Sequence, residues 1–243
     1  MSPRGHPDYI TPVTHVTVEG LAGLEELAAR LGSIVPWDME GNVVLMEDFE
    51  SELTDWADDS EGVGFSAARS SRHKYSGDWS VKLTVPAAGG SLASLSKFLH
   101  YPGLLKYGAF ARWCWNEDCQ VIGLRIELYS GTKEYYLEVA YDLPNTTLNV
   151  LTTGDVYSVV DSAFTLSPEG YTWYPILVTF DLEDEVYDKL YIGNVEYDLS
   201  AIPLFVEAGG ANQGGLVRLS AARDTGIAFD SYVDDIILAK NVP

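Results

Sequence analysis

The stretches "VIGLRIELYS" (residues 121–130) and "KEYYLEVAYD" (residues 133–142) decide the fold. In the first, Ile122, Leu124, Ile126 and Leu128 alternate with Arg125 and Glu127. In the second, Tyr135, Leu137, Val139 and Tyr141 alternate with Glu134, Tyr136 and Glu138. A period of two marks a strand with one face buried and one face wet. The same texture runs outward in both directions. "WSVKLTVP" sets Val81, Leu83 and Val85 on one side, and "YTWYPILVTFD" does so with Tyr174, Ile176, Val178 and Phe180. "TLNVLTTGDVYSVV" reads as two short strands around Gly154-Asp155, and "KLYIGNVEYDL" as a hairpin turning at Gly193-Asn194. "NVVLMEDFE" opens the series, and "GLVRLSAA" and "IAFDSYVDDIILA" close it. That makes about ten to twelve strands, the spacing of an all-β sandwich. No helical pattern falls between strands, so a parallel βαβ sheet is excluded. The expected fold is an all-β antiparallel β-sandwich of jelly-roll type.

Residues 1–41 differ in texture and are expected to form an N-terminal arm ahead of a domain spanning 42–243. In "LAGLEELAARLG", Leu21, Leu24, Ala28 and Leu31 share one helical face. Glu25 and Glu26 stand toward its start and Arg30 toward its end, as the helix dipole favours, and Gly32 is a natural stop. The spacing predicts one short helix over about residues 21–31. Alone it is marginal, so it must dock on its own domain or on a neighbour.

The chain has 15 Lys and Arg against 36 Asp and Glu, a net charge of −21 over 243 residues. Little is available to neutralise phosphates, so nucleic acid and anionic membranes are excluded as partners. No run approaches the ~18 apolar residues of a membrane helix. "MSPRGHPDYITPVTHVTVEG" lacks the apolar segment of a signal peptide. Cys114 and Cys119 are either bridged or two buried thiols, and the four histidines are scattered.

One stretch resists its assignment. "YVDDIILA" (residues 232–239) carries two adjacent acids inside an apolar strand. Alternation sends Asp234 and Asp235 to opposite faces, so one is expected to be wet and one held. The acids either lie at a solvated edge, pair with Lys82 or Arg223, or share a cation.

The order "EDFES", "YSGDWSVKLTV", "WYPILVTFDLEDEVYDKLYIGNVEYDLS", "YVDDIILA" resembles the β-jelly-roll superfamily of carbohydrate-binding modules and concanavalin-like (laminin-G-like) domains, over about residues 44–240. That resemblance implies a structural calcium where the first and last strands meet. Glu50 and Asp234, with Asp235 beside it, would supply carboxylates, and Lys74 and Asp78 of the "SG" turn carbonyl or carboxylate oxygens. Calcium takes six to eight such hard oxygen ligands.

A sugar platform needs exposed rings. Trp113 with Trp115, and Tyr171 with Trp173, are the candidates, either as a ligand face or as core or interface packing. "DLEDEVYD" offers Glu183 and Glu185 but reads as a turn, and no nucleophile elbow, phosphate loop or dinucleotide fingerprint occurs. A lyase would want Tyr or His with Arg or Lys on the concave face, for which "RIELY" (Arg125, Tyr129) is generic. The expectation is therefore a non-enzymatic structural protein of a phage or virus particle, a capsid decoration, spike or tail appendage. It would be displayed on a virion or extracellular surface as a homo-oligomer (a trimer if a spike), docked to other virion proteins through residues 1–40. The alternative is a lectin-like carbohydrate-binding protein for glycan attachment, and a further one a polysaccharide lyase or hydrolase.

Overall fold

A computed structural model of the chain describes residues 41–87, 92–100, 103–167, 171–222 and 226–242. The arm and the helix expected at about 21–31 fall in residues 1–40, outside the described residues. Sixteen strands occur among the rest: β1 (Asn42–Glu47), β2 (Ala57–Asp58), β3 (Ser66–Ser70), β4 (Ser80–Val85), β5 (Leu92–Leu99), β6 (Lys106–Trp115), β7 (Val121–Ser130), β8 (Lys133–Asp142), β9 (Thr147–Thr152), β10 (Val156–Asp161), β11 (Tyr174–Asp181), β12 (Val186–Ile192), β13 (Val195–Asp198), β14 (Phe205–Ala208), β15 (Gln213–Ala222) and β16 (Phe229–Lys240).

They form two antiparallel sheets. The first runs β13-β12-β11-β6-β16-β4-β3, with β1 also on β16. The second runs β10-β9-β8-β7-β15-β5-β2, with β14 also on β8. The apolar members of each alternating strand meet between the sheets. Val81, Leu83 and Val85 come from the first, and Leu124, Ile126, Leu128, Leu137 and Val139 from the second. The turns fall where the sequence places them. Gly154 and Asp155 both take positive φ (84° and 57°) between β9 and β10, and Gly193 (φ 61°) turns β12 into β13. The acidic "DLEDEVYD" lies across the turn from β11 to β12.

Strands β2, β3, β5 and β14 go beyond the stretches that alternation singles out. β2 is two residues long, and in β5 the pattern is blurred because Ala93, Ser94, Leu95 and Ser96 are all buried. Bringing the sheets together also needs polar fasteners. The Tyr187 hydroxyl on β12 is buried, donates to Leu151 O (2.8 Å) and accepts from Glu138 N (3.1 Å). A phenol of the first sheet thereby fixes the backbone of β8 at Glu138.

Candidate functional site

The acids of "YVDDIILA" come first. β16 pairs with β6 at Asp234↔Arg112 and then slips register before Ile237↔Phe110. The slip is a bulge: Asp235 sits at φ 51°, left-handed and costly for an aspartate. Both carboxylates are fully buried and both reach the 74–79 turn, so the expected division into one wet and one held acid is corrected. The bulge suspends the alternation on which that expectation rested. Asp234 Oδ2 accepts from Tyr75 N (2.8 Å) and Ser76 N (3.2 Å), and its Oδ1 from Asp235 N (2.9 Å). Asp235 accepts from Ser76 Oγ (2.8 Å) and from Arg112 Nε (3.1 Å). Burial, and then the neighbouring Asp235 charge, push the Asp234 carboxyl up to about 7 against its amide donors.

Glu50 lies past the end of β1, not in the opening strand, and its Oε1 accepts from Asp78 N and Trp79 N (2.8 Å each). Lys74 Nζ meets Asp78 Oδ1 at 3.3 Å on the surface. The turn thus joins Glu50, Asp78, Lys74 and the two acids in one region. What it offers Glu50 and Asp234, however, is N–H groups, and what faces Asp235 is a hydroxyl and a guanidinium. Among the described residues no three His, Cys, Asp or Glu side chains converge as a metal site. This donor set does not fit calcium, which takes a cage of oxygens.

The aromatic candidates separate. Trp113 and Trp115 face inward from β6 with no exposure, packed at 5.9 Å (Trp115 to Tyr141) and 5.3 Å (Trp115 to Tyr174) between ring centroids. As a sugar platform they are corrected: their strand face is the core. Tyr171 and Trp173 precede β11 and lie against the turn that grips the acids. Tyr171 stacks on His73 (3.9 Å) and Trp173 meets Tyr75 edge-on (6.2 Å). Cys114 and Cys119 are buried and not bridged, and burial drives both thiols well up.

The open chemistry lies on the outer face of the second sheet. Register stacks that face in rows. One row holds Ser96, Arg218, Arg125 and Glu138 on β5, β15, β7 and β8. The next holds Ser94, Ser220, Gly123, Ala140 and Asn149. On the other side Glu127 stands opposite Tyr136. Ser220, Ala140 and Asn149 of that row form the floor of an open cleft of about 520 Å³, with Arg125, Arg218, Glu138 and Tyr157 among its walls. Gly123 keeps the floor low, because a Cβ there would stand 2.9 Å from Ser220 Oγ and 3.0 Å from Glu138 Oε1.

Arg125 ties two acids together, Glu127 Oε1 at 2.8 Å from Nε and Glu138 Oε2 at 3.3 Å from Nη1. Tyr129 donates to Glu127 Oε2, and Tyr157 from β10 bonds Glu138. Burial pushes the Glu138 carboxyl above its ordinary value, against Arg125, Tyr157 and Arg218, which pull it down. Burial and then Glu138 also raise the Tyr157 phenol. A carboxyl whose proton affinity burial raises, beside a phenol and a guanidinium in an open cleft, is equipped to give and take a proton. Sequence reasoning met Arg125 and Tyr129 in "RIELY" and Glu138 on the polar side of its strand, but it did not join them into one site or reach Arg218. The alternation that hid Leu124 and Val139 in the core also placed Arg125 and Glu138 outside, but cross-strand register cannot be read from single strands.

No family model matches the chain, and no curated protein matches its sequence. Solved structures share its fold. A β-glucanase of Bacillus licheniformis aligns with a TM-score of 0.50 at 13% identity, covering 83% of this chain and 99% of that one. A carbohydrate esterase of the Shiga toxin-encoding bacteriophage phi24B aligns with a TM-score of 0.50 at 13% identity, covering 83% and 100%. A sialidase aligns with a TM-score of 0.50 at 11% identity, covering 82% of this chain but only 19% of its own length. Each of these is an enzyme by name, and this corrects the expectation of a non-enzymatic protein: the fold gives no ground for setting catalysis aside. At such identities the likeness is one of fold, and the chain is similar to jelly-roll sandwiches that carbohydrate-active proteins use.

Proposed function

We propose that the chain processes a glycan in the cleft of the second sheet and that Glu138 is the group that moves the proton. The observation that carries this reading is the Glu138 carboxyl itself. It lies in an open cleft with one oxygen on Arg125 and the other over the small-residue floor, and burial raises its proton affinity. Arg125 and the backbone bond to Tyr187 fix its position. Tyr157, half exposed on the edge strand, offers a ring for a sugar face and a hydroxyl beside the carboxyl. Glu127, buried beside the cleft, lies across Arg125 from it and helps to hold the guanidinium against Glu138.

The test is product release from a broad glycan panel, read as new reducing ends and as unsaturated products, with Glu138→Gln as control. The expected result is turnover of at least one glycan, reduced by a factor of about a hundred or more in the variant while glycan binding persists. Turnover that survives Glu138→Gln would overturn the assignment of Glu138. Binding without turnover in the native protein would favour the lectin-like reading, for which Tyr129, Tyr136 and Tyr157 on this face supply the aromatic surface.

A further inference from the structure

We infer that the glycan handled in this cleft carries a carboxylate and that Arg218 recognises it. This rests on the glycan reading above and narrows its substrate class. Arg218 stands in register between Arg125 and Ser96, which puts two guanidinium groups side by side on the cleft wall. They are not equally occupied. Arg125 is held by Glu127 and Glu138 at 2.8 and 3.3 Å. Among the described residues Arg218 has only a long ion pair, its Nη1 3.9 Å from Glu127 Oε1. Its Nε is buried and has no hydrogen-bond partner among the described residues.

A buried guanidinium donor without an acceptor is costly, and a strand position on a cleft wall is a poor place to leave one. The planar fork of arginine matches a carboxylate with two parallel bonds. Arg218 can be reached, since its side chain keeps 30% of its exposure and lines the cleft. Asp142 also lines the cleft, so the positive charge is local to the side-by-side guanidinium groups of Arg125 and Arg218. Ser220 and Asn149, in the next row, are then within the same cleft for sugar hydroxyls. The net charge of −21 opposes a polyanion only at range, because salt at physiological strength screens charges beyond about 8 Å.

The experiment uses the full chain and matched oligosaccharides that differ only by oxidation of C6 to a carboxylate. Cello-, laminari-, manno- and galacto-oligosaccharides serve, each with its C6-oxidised counterpart, and binding is measured by calorimetry. In at least one pair the oxidised member should bind about tenfold or more tighter, the effect of one charge-assisted hydrogen bond. That preference should collapse to near unity in Arg218→Met and fall partway in Arg218→Lys, which keeps the charge and loses the fork. In Glu138→Gln it should persist, and thermal unfolding of each variant checks that the fold is kept. Equal binding of both members, or a preference that survives Arg218→Met, overturns the inference and leaves the glycan reading standing. Absence of binding to every member of the set overturns both.

Discussion

Asp234→Asn separates two accounts of the buried acid pair. Asp234 has no exposure and carries three amide donors, yet burial and Asp235 raise its pKa from 3.8 to about 7. Between those values the folded chain holds a proton that the unfolded chain has released. Stability therefore falls as pH rises through this window and is level above it. Each pH unit costs about 1.4 kcal/mol, so the two units from pH 5 to pH 7 amount to roughly 2–3 kcal/mol. Asparagine has the same shape and no proton to lose. It also leaves Asp235 easier to ionise, which acts in the same direction. Urea unfolding of both proteins at pH 5, 6, 7 and 8 gives the difference. Asp235 and Glu138, also raised, and His73, lowered by burial, are present in both and largely cancel. The expected outcome is a swing of roughly 2–3 kcal/mol in favour of the variant from pH 5 to pH 8. A difference that is flat with pH, to within roughly 0.5 kcal/mol, would mean that the amide donors outweigh burial and hold Asp234 ionised throughout.

Three further outcomes are expected. Gly77→Ala should destabilise the fold by roughly 1–3 kcal/mol in urea unfolding, because Gly77 sits at φ 55° and a Cβ would fall 2.3 Å from Glu50 Oε1, forcing that carboxylate off the turn amides. Chelation should leave the melting temperature unchanged, since the donors facing Glu50 and Asp234 are amides. A drop of several degrees on adding EDTA would restore the calcium expectation. Gly123→Ala should lower turnover roughly ten- to a hundredfold by displacing Glu138 Oε1 and Ser220 Oγ, both ends of side chains that can shift. Its unfolding free energy should change little, and a large loss would mean that the floor glycine serves the fold.

The sandwich was legible because its longest strands keep strict alternation. β7, β8 and β11 bury the residues that the pattern marks. The turns at Gly154-Asp155 and Gly193 were legible because their positive φ angles call for those residue types. The acid pair was legible as an oddity but not as a geometry. Its bulge arises from pairing β16 with β6, and nothing in "YVDDIILA" alone reports a register slip. Trp113 and Trp115 were ambiguous for a simple reason. Alternation says that they share a face but not which face is covered, and on β6 Phe110, Arg112 and Cys114 are buried as well. The cleft was the least legible part. Its polar residues lie on five strands that only the sheet order brings side by side. The docking arm and the partners expected of it rest on residues 1–40, outside the described residues.

The order of strands along the chain has a consequence for how the protein is made. β16 lies inside the first sheet, between β6 and the pair β4 and β1, and β15 lies inside the second, between β7 and β5. These two central strands are the last in chain order among those described. While the ribosome works through residues 116–240, the edges of β4, β5 and β6, and then of β7, that these strands will cover stand open. At roughly 5–20 residues per second that interval is on the order of ten seconds. Open, apolar strand edges are where chains pair with the wrong partner. The nascent protein is therefore most open to mispairing until its final strand arrives to close both layers.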